Sequence, residues 1–80
     1  MPTVLRIGPY RFFFYADERQ EPQHIHIVAG GKEAKYWLLP HLQQAWNRGF
    51  RSGEIKEIES IIRDNLHLML EAWNDFFRDR

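Results

Sequence analysis

Apolar residues recur at Ile55, Ile58, Ile62, Leu66, Met69, Trp73 and Phe76 or Phe77, at spacings of three and four sustained for about six helical turns. A stripe of that kind is stable only when it is buried against another apolar layer. It therefore predicts one long amphipathic C-terminal helix and something flat beneath it. Ser52 is placed to cap the helix, and Gly53 and Glu54 fill its first turn, where a carboxylate suits the positive end of the helix. Asn65 is the one residue that favours a kink or a split into two helices. Lys56, Glu57, Glu59, Arg63, Asp64, Glu71 and Asp75 fall on the opposite face and read as solvated decoration.

The first fifty residues supply the other layer. Val4–Ile7 is a short β-prone run, Gly8-Pro9 breaks it, and Tyr10–Ala16 is dominated by aromatics. A polar loop, Asp17 to Pro22, follows. His24-Ile25-His26-Ile27-Val28 then alternates with period two, Gly30-Gly31 offers a tight hairpin turn, and Glu33 to Leu39 continues as the partner strand, ended by Pro40. Leu42 to Phe50 is ambiguous, since Gln43-Gln44-Ala45-Trp46 suits a helix while Trp46 to Phe50 reads as a strand end with a turn; the strand is the preferred reading. Whether the third strand pairs with the second or with the fifth stays open. The expected fold is α+β: a small antiparallel sheet of four to five strands packed on one C-terminal helix, split or not near Asn65.

Eighty residues allow one domain, taken as 1–80, and a domain of this size has modest stability or borrows some from a partner. With no cysteine, disulfide scaffolds, thiol catalysis and cysteine zinc fingers are excluded. The longest apolar run, Phe12 to Ala16, is far short of a membrane span, and no signal sequence is evident, so a cytoplasmic protein with no membrane association is expected. Eleven basic and eleven acidic residues cancel overall. They are unevenly placed: residues 1–53 hold seven basic against four acidic residues, and residues 54–80 hold four against seven. The simplest consequence is complementarity inside the fold; the zero net charge argues against nucleic acid as the main partner.

The sharpest local pattern is Glu21-Pro22-Gln23-His24-Ile25-His26-Ile27. On a strand, Ile25 and Ile27 turn toward the helix while His24 and His26 share the other face. Two neighbouring imidazoles suit acid–base work at a phosphodiester, because histidine titrates near neutral pH. They are also metal ligands, but a zinc site needs at least a third, and the spacing singles out none of Glu21, His41 or Glu33, so no metal site is assigned. Alternation also places Arg11, Phe13 and Tyr15 on the histidine face, opposite Phe12 and Phe14. One helix covers one face only. The histidine face is therefore expected to be open in a monomer, as a protein-binding surface or a stacking platform for single-stranded RNA. Trp73 belongs to the helix stripe, whereas Trp37 and Trp46 are core or interface anchors. Arg48, beside the Gly49 turn, suits a phosphate or a carboxylate. No phosphate-binding glycine loop, nucleophile elbow or zinc-protease helix is present, and no cofactor is assigned.

Taken in order, Met1-Pro2-Thr3-Val4, the aromatic strand after Gly8, Glu21 to Ile27, Lys32 to Leu39, Trp46 to Phe50 and Leu70-Glu71-Ala72-Trp73 resemble domain-of-unknown-function family 4160 along nearly the whole chain. Pro22, His24, His26 and Trp73 carry the resemblance. It implies a small bacterial protein encoded beside a member of domain-of-unknown-function family 2442, in a toxin–antitoxin-like pair, and it implies no catalytic residue. Two functional readings stand. In one, the chain works through protein contact in such a module, as partner of the family 2442 protein or as a homo-oligomer. Any toxic action would then be metal-independent binding or cleavage of RNA, with His24 and His26 as acid and base, Arg11 and Arg48 on the phosphate, and Phe13, Tyr15, Trp37 and Trp46 as the binding surface. In the other, it is a non-catalytic binding module or regulator whose histidines serve as interface donors or as a metal contact.

Overall fold

A computed structural model describes residues 3–18 and 20–78; Met1, Pro2, Arg19, Asp79 and Arg80, the first two quoted for the resemblance, lie outside the described residues. Five strands, β1 (Thr3–Ile7), β2 (Tyr10–Phe13), β3 (His24–Ala29), β4 (Lys32–Trp37) and β5 (Gln43–Arg48), form one antiparallel sheet in the order in which they occur in the chain. The third strand thus pairs with the second and the fourth. Two-residue loops make the first and third connections. Gly30 and Gly31 both have positive φ, +54° and +79°, the requirement of a tight hairpin turn that only glycine meets without strain, while Gly8 takes +56° ahead of Pro9.

Two helices follow, α1 (Ser52–Asp64) and α2 (Leu66–Phe77). The predicted stripe is real, with Ile58, Ile62, Met69 and Trp73 buried, but the helix is not continuous. At Asn65 the backbone leaves helical geometry (φ −122°, ψ 19°), and the Asn65 side-chain amide donates to the Ile61 carbonyl at 2.8 Å, satisfying an acceptor at the end of α1. The cap at the other end also differs from expectation. Ser52 is already helical, and Arg51 is the capping residue, its N–H held by Glu54 Oε1 at 2.9 Å. Glu54 serves twice, since its other oxygen accepts from Lys32 Nζ at 2.7 Å and so joins α1 to the start of β4.

The core lies between sheet and helices. Phe12, Phe14, Ile25, Ile27, Ala34, Tyr36 and Leu38 from the sheet layer meet Ile58, Ile62, Met69 and Trp73, all of them buried. Period-two alternation delivers this, as does the aromatic composition of β2. Phe14 leaves the strand and enters an aromatic cluster with Trp73, Phe76 and Phe77, ring centroids 5.2–5.4 Å away. That departure shortens β2, which ends at Phe13 rather than running to Ala16. Glu57 and Glu59 are more than decoration: they accept the hydroxyls of the buried Tyr10 and Tyr36, each at 2.8 Å. Among the described residues no helix is long and apolar enough to cross a membrane.

Candidate functional site

The sheet face away from the core carries the candidate residues in register. Phe13, His26, Lys35 and Trp46 form one row across β2 to β5; Arg11, Val28, Glu33 and Arg48 form the next. Period two predicts this sharing of a face.

What the sequence did not reveal is the cover. The residues on either side of position 19, 14–18 and 20–23, do not run clear of the sheet but fold back over it, with turns closed by Glu18 N–H to Tyr15 O at 3.2 Å and Glu21 N–H to Glu18 O at 3.1 Å. The turns lower Glu18 onto the histidines. Its Oε1 lies 2.6 Å from His24 Nε2 and 2.9 Å from His26 Nε2. The far nitrogen of His24, Nδ1, donates to the Pro22 carbonyl at 2.9 Å. His26 Nδ1 sits 3.3 Å from Glu33 Oε2 but makes no hydrogen bond, a buried polar atom left without one. Glu33 also accepts from the Tyr15 hydroxyl at 3.3 Å.

The histidines are therefore not open. His24 is 0% and His26 2% exposed, and the expectation of an uncovered histidine face is corrected. Three things close it: the chain's own loop, stacking of Phe13 on His26 (5.5 Å, 23° between planes), and the edges of Tyr15 and Trp46 against His26 at 4.6 and 5.8 Å. Nor do both imidazoles face away from the helices. His24, at the start of β3, touches the ring of Trp73 at 4.9 Å and that of Trp37 at 5.6 Å, because α2 reaches around that end of the sheet.

Electrostatically the centre belongs to carboxylates. Burial alone would raise the Glu18 carboxyl, but hydrogen bonds from His24 and His26 outweigh it and hold it below the ordinary value. Burial pushes the imidazolium of His26 down, against the opposing hydrogen bond and charge of Glu18. Glu21, which the sequence offered as a histidine partner, is engaged by Lys35 Nζ instead and comes only to 3.8 Å of His24 Nδ1.

The cations do not converge. Arg11 and Arg48 stand in one row but three strands apart, about 14 Å at the backbone. Each guanidinium lies over its own ring, Arg11 on Phe13 at 4.6 Å and Arg48 on Trp46 at 4.4 Å, as Lys35 lies over Trp37 at 4.5 Å. Asn47 closes the turn beside Arg48, accepting the Phe50 N–H at 3.1 Å and donating to its carbonyl at 3.0 Å.

Among the described residues, Glu18, His24 and His26 form one group with three ligand atoms within 4.8 Å of one another. Two imidazole nitrogens and a carboxylate oxygen around one point can hold a borderline-soft divalent ion. Of the three carboxylate or histidine candidates weighed from sequence, Glu21, Glu33 and His41, none is the third member. Glu18 is, and its only signal was its place in a loop long enough to turn back over the strand.

Fold and site together define a small α+β domain: a five-stranded meander backed by two helices, with a buried His–His–Glu centre on its outer face. A family model described as Domain of unknown function (DUF4160) matches residues 10–74, and the chain belongs to that family. No curated protein and no solved structure matches the chain significantly.

Proposed function

We propose that the chain is a protein-binding member of a two-protein, toxin–antitoxin-like module of the bacterial cytoplasm, without catalytic action of its own. It docks its partner, a member of domain-of-unknown-function family 2442, at the β5 edge. The observation that carries this reading is the make-up of that edge. β5 is an outer strand paired only to β4, and its half-buried Trp46 supports the guanidinium of Arg48 at 4.4 Å. An unpaired strand edge is a template for an added strand, and tryptophan with arginine is the composition of interface anchors.

The ribonuclease alternative draws less support. Its two catalytic histidines are buried and joined to Glu18, and three carboxylates, Glu18, Glu21 and Glu33, lie within 4 Å of their rings, the wrong charge for a phosphodiester. Arg11 and Arg48 are too far apart, and too well seated on their rings, to clamp one phosphate.

Co-purification with the family 2442 protein, followed by light scattering, tests the proposal. A stoichiometric complex is expected, weakened by about 2 kcal/mol in Trp46→Ala, the loss typical of an interface anchor. A folded chain that forms no complex would overturn it. So would growth arrest on expression that a folded His24→Ala, His26→Ala variant relieves, which would return the chemistry to the histidines.

A further inference from the structure

We propose that Glu18 Oε1, His24 Nε2 and His26 Nε2 form a site for one divalent transition-metal ion of the zinc class, fastening Glu18 to β3. Hydrogen accounting is the first support. Among the described residues the only partner of His24 Nδ1 within 3 Å is the Pro22 carbonyl, which can only accept, so Nδ1 carries a hydrogen. A neutral ring would turn a bare Nε2 toward a carboxylate oxygen 2.6 Å away, so without an ion this contact requires a second hydrogen, on Nε2, and leaves a charged ring buried. His26 presents the mirror problem. If its hydrogen is on Nε2, toward Glu18, then a bare Nδ1 faces Glu33 Oε2 at 3.3 Å, and that buried nitrogen is the one without a hydrogen bond.

A cation at the meeting point spares His24 the buried charge and leaves Nδ1 of His26 free to carry its hydrogen on the Glu33 side, 3.3 Å from Oε2. Each ring then keeps its hydrogen on Nδ1, toward Pro22 O in one case and Glu33 in the other, and directs the Nε2 lone pair at the ion. That is the arrangement of metal-bound histidines, whose outer nitrogen is fixed by a carbonyl or a carboxylate. Tyr15, whose hydroxyl donates to Glu33, extends the support one residue further.

The two separations that involve Glu18 need little adjustment. Ligands of a tetrahedral ion at about 2.0–2.1 Å stand about 3.3 Å from one another. The two nitrogen–oxygen distances here are 2.6 and 2.9 Å, so the Glu18 side chain has to withdraw by roughly half an ångström. Glu18 sits on the loop and its side chain is 20% exposed, which leaves a solvent side for water as the fourth ligand. Two imidazoles with one carboxylate favour zinc, cobalt or nickel over magnesium or calcium.

The inference is independent of partner binding at β5, and its test involves no partner. The chain is stripped with EDTA and titrated with zinc chloride by calorimetry, and with cobalt chloride by visible absorption. We expect one ion per chain, the absorption bands of tetrahedral cobalt, and a rise in Tm of about 5 °C or more at excess zinc. Glu18→Gln preserves shape at a partly exposed position. It should keep the circular dichroism of the parent while losing stoichiometric binding, and Glu33→Gln should weaken binding about tenfold. Absence of binding by the folded chain at micromolar zinc overturns the site. So does binding that survives in Glu18→Gln but disappears in His67→Ala, for then the ion sits on the exposed His67–Glu71 pair of α2, 3.2 Å apart.

Discussion

Tyr10 and Tyr36 are buried rings whose hydroxyls end on helix carboxylates, and each hydroxyl is held protonated up to about 12 instead of 10.0. Burial is the main cause for both, helped by Glu57 for Tyr10 and by Glu59 for Tyr36. A proton held more tightly in the folded than in the unfolded chain contributes stability that is complete below pH 10 and is lost as pH rises toward 12. The urea midpoint should therefore fall across that interval, and a Tyr10→Phe, Tyr36→Phe variant should show a flatter profile. Gly49 is a second sensitive position. Its φ is +105°, and an added Cβ would stand 2.9 Å from Lys32 Cγ. Gly49→Ala should cost about 1–3 kcal/mol in a denaturant titration, from backbone strain and from displacing the lysine that holds Glu54. Legibility at this scale was uneven. The common side of His24 and His26 follows from strand period alone. Glu18 could not be found that way, because five residues outside any strand separate it from His24 and its position depends on two turns with no glycine or proline at their centres to announce them.

The helices were more readable as a pattern than as objects. Spacing identified every buried residue of α1 and α2, since burial follows the same periodicity that defines the stripe. The break at Asn65 was a choice that spacing left open, and the tertiary structure settles it: α2 must turn to bring Trp73 against Phe14 and His24. Glu57 and Glu59 were misread as surface decoration because the tyrosines they serve lie 47 and 23 residues away in the chain. Trp73 is the side chain on which the second layer depends. Trp73→Ala should lose about 3–5 kcal/mol, most of the stability available to a domain of this size, while Ile62→Val should lose only about 1 kcal/mol. Urea unfolding of the two variants checks the order and the spacing.

At the scale of the molecule, the opposite charges of the two halves meet directly, among the described residues, in one ion pair, Lys32 to Glu54, where the first residue of β4 is tied to the first turn of α1. Elsewhere Glu57 and Glu59 accept from tyrosines, Glu59, Glu71 and Asp75 also pair within their own half with Arg63, His67 and Arg78, and Arg11, Lys35 and Arg48 of the sheet lie on aromatic rings, Lys35 also reaching Glu21. The helices cover one face of the sheet, and on the other the chain's own loop covers the histidines. That leaves the edges β1 and β5 as the open backbone of the described sheet, and it is why the partner is sought at an edge. The in-sequence strand order has a further consequence, for synthesis. Each strand can pair with its predecessor as soon as it leaves the ribosome, yet Ile25, Ile27 and Tyr36 stay uncovered until the last third of the chain arrives. During translation the half-made protein is a nearly finished sheet with a bare greasy side, a natural client for a chaperone until α1 and α2 close over it.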